Sequence, residues 1–322
     1  MTLNSRINKL LLQAQASHLK QQVGIERKIK AIYSKADQRL ASLSLRGASL
    51  GSQSALFENM TKIMQSLSDD VTTAIEGAIK QSVRSAVSGS REIVDSIERV
   101  ATRRLRRTRE SIISEASREE EFLRDKIEQI RMSFDEVYPE AVQAMRTDSG
   151  VELSTKIWDI NRMSLQQMKN FIAEYMITQE SAGSIYRFVK GFLTLPDVDL
   201  RKKEWIEYFK DNPPGRGVYR SAWKNALRVI RTETNRAFRK AQAGFAKGET
   251  WVKGVRWVLS GAHPEADVCD DIANADDYGL GPGVYPAEAI PDSGHPQCLC
   301  HYEYVIDYAG LGLPESLGEE DA

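Results

Sequence analysis

Four side chains near the end of the chain could hold a metal ion. Cys269, His295, Cys298 and Cys300 supply three sulfurs and one imidazole, the donors of a tetrahedral zinc site. His263 and His301 are spare imidazoles, and Asp267, Asp270 and Asp271 could neutralise or ligate a cation. The spacing is not that of a paired zinc knuckle. One residue separates Cys298 from Cys300, tighter than the usual zinc spacing, and Ile272 stands where a second cysteine would pair with Cys269. In a segment poor in apolar side chains, a bound ion would add folding energy. The alternative is that the cysteines are small buried hydrophobes. Spacing alone leaves both readings open.

Catalysis fits less well. His263-Pro264-Glu265, followed by Pro296 to Cys300, has the order of the zinc-deaminase signature but not its spacing. The two sulfurs are offset and one residue too close, and the glutamate follows a proline. A cysteine nucleophile at Cys298 would sit in acidic surroundings, which oppose a thiolate. No residue is assigned a catalytic role, and the chain is not expected to be an enzyme.

A third constellation is Arg231-Thr232-Glu233, within the helical stretch "RTETNRA". Arg231 and Glu233 lie at i, i+2 and so face different partners. Arg231 could pair with an acid of the C-terminal segment, such as Asp267 or Asp271, and lock the helix onto it. An exposed helix face is the alternative.

The elements that must position these groups follow from proline, glycine and periodicity. The first proline is Pro139, and a long stretch without one favours long helices. An opening helix is expected over about 4–45, a joint at Gly47–Ser54, and a further boundary near Gly89. From Glu92 to Val137 the series Ile97, Ala101, Leu105, Thr108, Ile112, Ala116, Glu119 and onward to Phe134 steps by 4, 4 and 3. Such an 11-residue repeat gives a nearly straight helix or a gentle right-handed supercoil. This helix is either a rod or oligomer contact, or one member of an ordinary bundle. Residues 151–195 read as helical, with loops at Leu193–Leu200 and Lys210–Tyr219. A helix from Tyr219 to about Lys247 precedes strands at Val252–Ser260, Gly283–Pro286 and His301–Asp307. The fold class is therefore α+β, mostly α: long N-terminal helices over 1–150, a small α+β domain over 151–307 with short strands, and an acidic, disordered tail over 308–322.

Charge is split along the chain. All 44 basic residues precede Trp257, against 31 of the 45 acidic ones, and 14 acidic residues follow it. The acidic end should avoid phosphate backbones. Five arginines cluster in seven residues, Arg103, Arg104, Arg106, Arg107 and Arg109. They are a nucleic-acid patch or a solvated face paired with Glu98, Glu110 and Glu115. Three cysteines give no disulfide framework and fit a reducing compartment. The first thirty residues lack the apolar core of a signal peptide, and no apolar run is long enough to anchor the chain in a membrane. Synthesis in a cytoplasm is expected.

Three pieces in this order carry a resemblance. A helix bears "RTETNRAFRKAQ", a strand leads into "VRWVLSGAHPEADVCDDIANADDYGLGPGVYP", and "HPQCLC" closes the set. The arrangement resembles the C-terminal domain of the phage Mu F-like family of phage head morphogenesis, or minor head, proteins. It covers about residues 150–307. The matching positions are Arg231, Thr232, Glu233, Cys269, Asp270, His295, Pro296, Cys298 and Cys300. Two departures stand out: many members have a second cysteine near Ile272, and many have arginine where Leu299 stands. The resemblance implies Arg231, Thr232, Glu233 and Asp270 as structural motif residues. It also implies Cys269, His295, Cys298 and Cys300 as a candidate zinc site.

For function, the resemblance implies a minor head or capsid protein of a tailed bacteriophage, in the virion head interior after assembly in the host cytoplasm. Its expected partners are the portal protein, the scaffold or the major capsid protein, with phage DNA and further copies of the chain as additional contacts. Its expected roles are head assembly and DNA delivery. The alternatives are a virion-delivered zinc-dependent enzyme and a DNA-binding protein using the arginine-rich helix.

Overall fold

Two long helices open the chain: α1, Leu3–Arg46, and α2, Gln53–Ser111. The computed structural model describes residues 2–46, 53–111, 222–263, 266–291 and 294–311, with the single positions 125, 190, 193, 210 and 313. Of residues 44–46, 53–57, 61 and 104–111 it describes the backbone alone. The expected helices and loops between 112 and 221, and most of the joint at 47–54, lie outside the described residues. After them come α3 (Ala222–Gly248), β1 (Val252–Val258), α4 (Val268–Asn274), β2 (Val284–Tyr285) and β3 (His301–Ile306). The fold is α+β and mostly α. No described helix is long and apolar enough to cross a membrane.

The 11-residue spacing extends well beyond the stretch in which the sequence announces it. On α1 the buried positions Ile7, His18, Ile29 and Leu40 recur every eleven residues, as do Leu11, Gln22 and Tyr33. On α2 the same interval links Met60, Val71, Ser82 and Ile93, and Met64, Ile75, Ala86 and Ile97. Eleven residues are close to three full turns, so the buried stripe stays on one face without strong coiling. Polar members such as Ser82 and Gln22 hide this stripe from a search for apolar residues alone. The boundary expected near Gly89 is absent, because α2 runs through it. Gly89 has a packing role instead: a Cβ there would lie 2.7 Å from the Ala14 Cβ. Ser85 Oγ donates to Gln21 Oε1 at 2.9 Å. The pairs Ala14–Gly89 and Gln21–Ser85 run in opposite directions, so these parts of α1 and α2 are antiparallel.

Packing divides the chain into two units. One unit comprises Met1–Gln21, Ile79–Ser149 and Thr232–Ala322; the other comprises Gln22–Ala78 and Gly150–Arg231. Within the second, Arg231 Nε pairs with Glu26 Oε1 at 2.6 Å, and the Tyr33 hydroxyl donates to the Ala222 carbonyl oxygen at 3.3 Å. Within the first, Leu3, Ile7 and Leu11 of α1 and Ile93 and Ile97 of α2 join one core with Phe245, Trp251, Trp257, Tyr302 and Tyr304. Full burial of such side chains contributes about 1.5–3 kcal/mol each.

The sheet of this unit is antiparallel, in the order β2-β1-β3. Trp257 opposes Tyr302 and Val255 opposes Tyr304, so the alternating buried residues of both strands share the face that meets the core. The chain beyond β3 departs from the disordered tail expected over 308–322. Leu311 and Leu313 are buried in the same core, and the Leu313 N–H donates to the Tyr308 carbonyl oxygen at 2.8 Å. Residues 314–322 lie outside the described residues.

Candidate metal centre

Helix α4 begins with two aspartates that fix each other. The Asp267 carboxylate accepts from the Cys269 N–H at 2.7 Å, and the Asp270 carboxylate accepts from the Asp267 N–H at 2.7 Å. This is a capping box with aspartate in both roles. It satisfies amides at the start of a seven-residue helix and holds Cys269 in the first turn. The sequence reading missed this helix. The Asp-x-x-Asp signal was present, but the surrounding glycine, proline and aspartate read as loop.

The peptide from His295 to Cys300 brings Cys298 against Cys269. The Cys298 N–H donates to the His295 carbonyl oxygen at 3.2 Å, and Gln297 takes a positive φ of 63° at the turn. Cys269 Sγ and Cys298 Sγ then lie 3.6 Å apart. The approach depends on Gly294, where a Cβ would fall 2.7 Å from Cys269 Sγ. All three cysteines are free and buried.

One face of α3 reads along this peptide. Thr232 Oγ1 accepts from the Gln297 N–H at 3.0 Å. Asn235 Nδ2 donates to the Cys298 carbonyl oxygen at 3.0 Å. Arg239 Nη1 donates to the Cys300 carbonyl oxygen at 2.9 Å and reaches the Cys298 carbonyl oxygen and Sγ at 3.4 Å each. The three positions follow i, i+3 and i+7, one side of a helix. Arg239 is only 2% exposed, and its guanidinium carbon lies 5.5 Å from the centre of the Trp257 ring.

Arg239 changes the chemistry expected of Cys298. The sequence places that thiol among acids, which would oppose a thiolate. In the structure its pKa is lowered, first by a hydrogen bond from Cys300 and then by the Arg239 charge, against desolvation. Cys269 moves the other way, raised by burial and by the neighbouring Cys298 charge. Cys300 is also raised, chiefly by its hydrogen bond to Cys298. The hydrogen bonds among the three sulfurs and the buried Arg239 charge thus favour the ionised form at Cys298 over Cys269 and Cys300.

Ligand atoms of Cys269, His295 and Cys298 all lie within 4.8 Å of one another, and this group could hold a metal ion. The fit is chemical as well as spatial. Zinc–sulfur bonds of ~2.3 Å set a sulfur–sulfur edge of about 3.8 Å in a tetrahedron, close to the distance seen. His295 Nδ1 hydrogen-bonds the Pro296 carbonyl oxygen at 2.9 Å, which leaves Nε2 as its ligating atom. Cys300 sits beside Cys298 but outside this group, so the four-residue set read from the sequence converges as three. His301 opens β3 and belongs to no such group among the described residues. His263, the other spare imidazole, forms a second group with Asp267 and His295.

The remaining sequence candidates fall as follows. Glu233 is buried. Arg231 forms its ion pair with Glu26 of α1, and Asp270 carries the cap and a hydrogen bond with His263. Arg103 is exposed on α2, whereas the side chains of Arg104, Arg106, Arg107 and Arg109 lie outside the described residues. Asn235 and Arg239 were not singled out in the sequence, although the polar series Thr232, Asn235, Arg239 on one helical side was the available signal. Compared with protein-family models, curated proteins and solved structures, the chain finds no match.

Proposed function

We propose that the chain is a non-enzymatic minor head protein of a tailed phage, acting in head assembly with the portal or scaffold and in DNA delivery. One observation carries the reading. The sequence pieces behind the resemblance, the Thr232 helix, the Cys269 segment and "HPQCLC", meet in one seam held by Thr232, Asn235 and Arg239. Sulfurs shielded to this degree suit a seam that closes a domain better than a site that admits substrate. Mass spectrometry of virions and procapsids of the encoding phage, with copy number, tests the proposal. The chain is expected in both at few copies per particle, and absence from both would overturn it.

Zinc is the metal we assign to Cys269, His295 and Cys298, as a structural ion. Two sulfurs and an imidazole favour a borderline-soft ion over magnesium or calcium. Protein purified without chelator should carry about one zinc per chain, and less than about 0.2 would rule the assignment out.

A further inference from the structure

The outer side of the same seam carries a second set of donors with different chemistry. His295 Nε2 lies 3.2 Å from Asp267 Oδ2. His263 Nε2 lies 3.8 Å from Asp267 Oδ1 and 2.8 Å from Asp270 Oδ2. Ligand atoms of His263, Asp267 and His295 fall within 4.8 Å of one another. Unlike the buried sulfurs, these side chains reach water: His263 is 12% exposed, His295 34% and Asp267 38%.

Two features separate this set from an ordinary acidic surface. First, the nitrogen of His295 is committed. Its Nδ1 hydrogen-bonds a carbonyl oxygen, which can only accept, so in a neutral ring the Nε2 lone pair faces a carboxylate oxygen. An ion between them would meet a nitrogen and an oxygen that already face each other at 3.2 Å. Second, the carboxylates are held in place. Asp267 and Asp270 are fixed by the reciprocal cap of α4, so closing a ring of ligands around an ion orders little that is not already ordered. Metal–nitrogen and metal–oxygen bonds of ~2.0–2.1 Å give ligand edges of about 3.3 Å in a tetrahedron, near the His295–Asp267 distance.

We propose that His263, Asp267 and His295 form a solvent-facing site for a divalent transition-metal ion, of the two-imidazole, one-carboxylate class. That donor set binds three positions of the ion and leaves the others open to water or an outside ligand. Magnesium and calcium are disfavoured by the two imidazoles. The site is an alternative to zinc at the thiols and not an addition to it. The two share His295 Nε2, which has one lone pair, so one ion at a time uses it.

Nickel(II) is the probe, because imidazole suits it and any sulfur it took as ligand would show as a charge-transfer band. The full chain, stripped with chelator and kept reduced without added thiol, is titrated by calorimetry and absorbance. One nickel per chain is expected, without the sulfur band. Affinity should fall about tenfold or more in His263→Ala. Asp267→Asn keeps the helix cap but loses the charged ligand, and it should weaken binding similarly at unchanged melting temperature. It decides the matter if His263→Ala does not fold. Unchanged affinity in the folded variants, a sulfur band on the bound nickel, or no binding at about millimolar nickel would each overturn the proposal. Zinc at the thiols is read separately from metal content, so either site can fail alone.

Discussion

Replacing Arg239 by methionine is expected to lower stability by about 3–5 kcal/mol, the usual cost of removing one partner from a buried charged pair. The guanidinium reaches two carbonyl oxygens and one sulfur across the seam. Methionine fills much of the same volume but donates nothing. The Cys300 carbonyl loses its bond from Arg239, and Cys298 Sγ loses a neighbouring positive charge. Arg239→Lys should recover little of the loss, because one ammonium cannot reproduce a planar fork resting on the Trp257 ring. Urea unfolding of both variants measures the effect. A methionine variant within about 1 kcal/mol of the parent would show that the seam holds without this arginine.

The same arginine bears on what a metal would do here. Two thiolates and a divalent ion are neutral together, so an ion at the sulfurs would take over the balancing of charge at Cys298 that the Arg239 guanidinium provides. With one thiolate and no ion, Arg239 itself balances the charge. The seam therefore has an internal cation that favours the ionised form of Cys298, which lowers the proton cost of metal binding at that sulfur. Chelation should accordingly loosen this seam without unfolding it outright, in contrast to small zinc domains that have no other closure.

Much of the outline was legible because it rests on local signals. Alternating apolar residues place β1 and β3 where the sequence puts them, and proline-free periodicity marks α1 within a residue or so of its ends. The limits are equally physical. Gly89 reads as a break because helices avoid glycine, yet here close approach to Ala14 is what a missing side chain permits. Leu311 and Leu313 read as tail because charges follow them, whereas two leucines suffice to pin the turn to the core. Helix α4 is too short for periodicity to reveal. In the site, cysteines and histidines announce themselves by type. Arg239 is one basic residue among many on α3, and only the peptide it meets, some sixty positions away, gives it a role. The pairing of Arg231 with Glu26 was out of reach for the same reason, since spacing says which helical face a charge occupies and not what arrives there.

Acid should weaken this unit through a histidine far from the cysteines in sequence. His18 of α1 is 1% exposed, stacks on Phe238 with ring centroids 4.5 Å apart, and has Nε2 2.9 Å from Asn235 Oδ1. Asn235 donates through its other atom to the Cys298 carbonyl, so its oxygen is the acceptor and the ring is the donor. Burial draws the His18 pKa from 6.5 to about 4; the Asn235 hydrogen bond opposes this and the Arg239 charge reinforces it. Above pH 6.5 the ring is neutral in folded and unfolded chains alike and contributes no pH dependence. Below it the unfolded chain takes up a proton that the folded chain refuses, so stability falls with pH until the folded ring titrates near pH 4. The whole interval is worth about 3 kcal/mol. Carboxylates also titrate at the acid end, so the measurement is a difference. Unfolding free energies of the parent and of His18→Gln, which keeps an amide donor for Asn235, are compared from pH 7 to pH 4. The variant should start less stable and lose about 3 kcal/mol less over that range. Parallel pH profiles would mean that His18 gains its proton in the folded chain as easily as in the unfolded one, and that α1 opens around it.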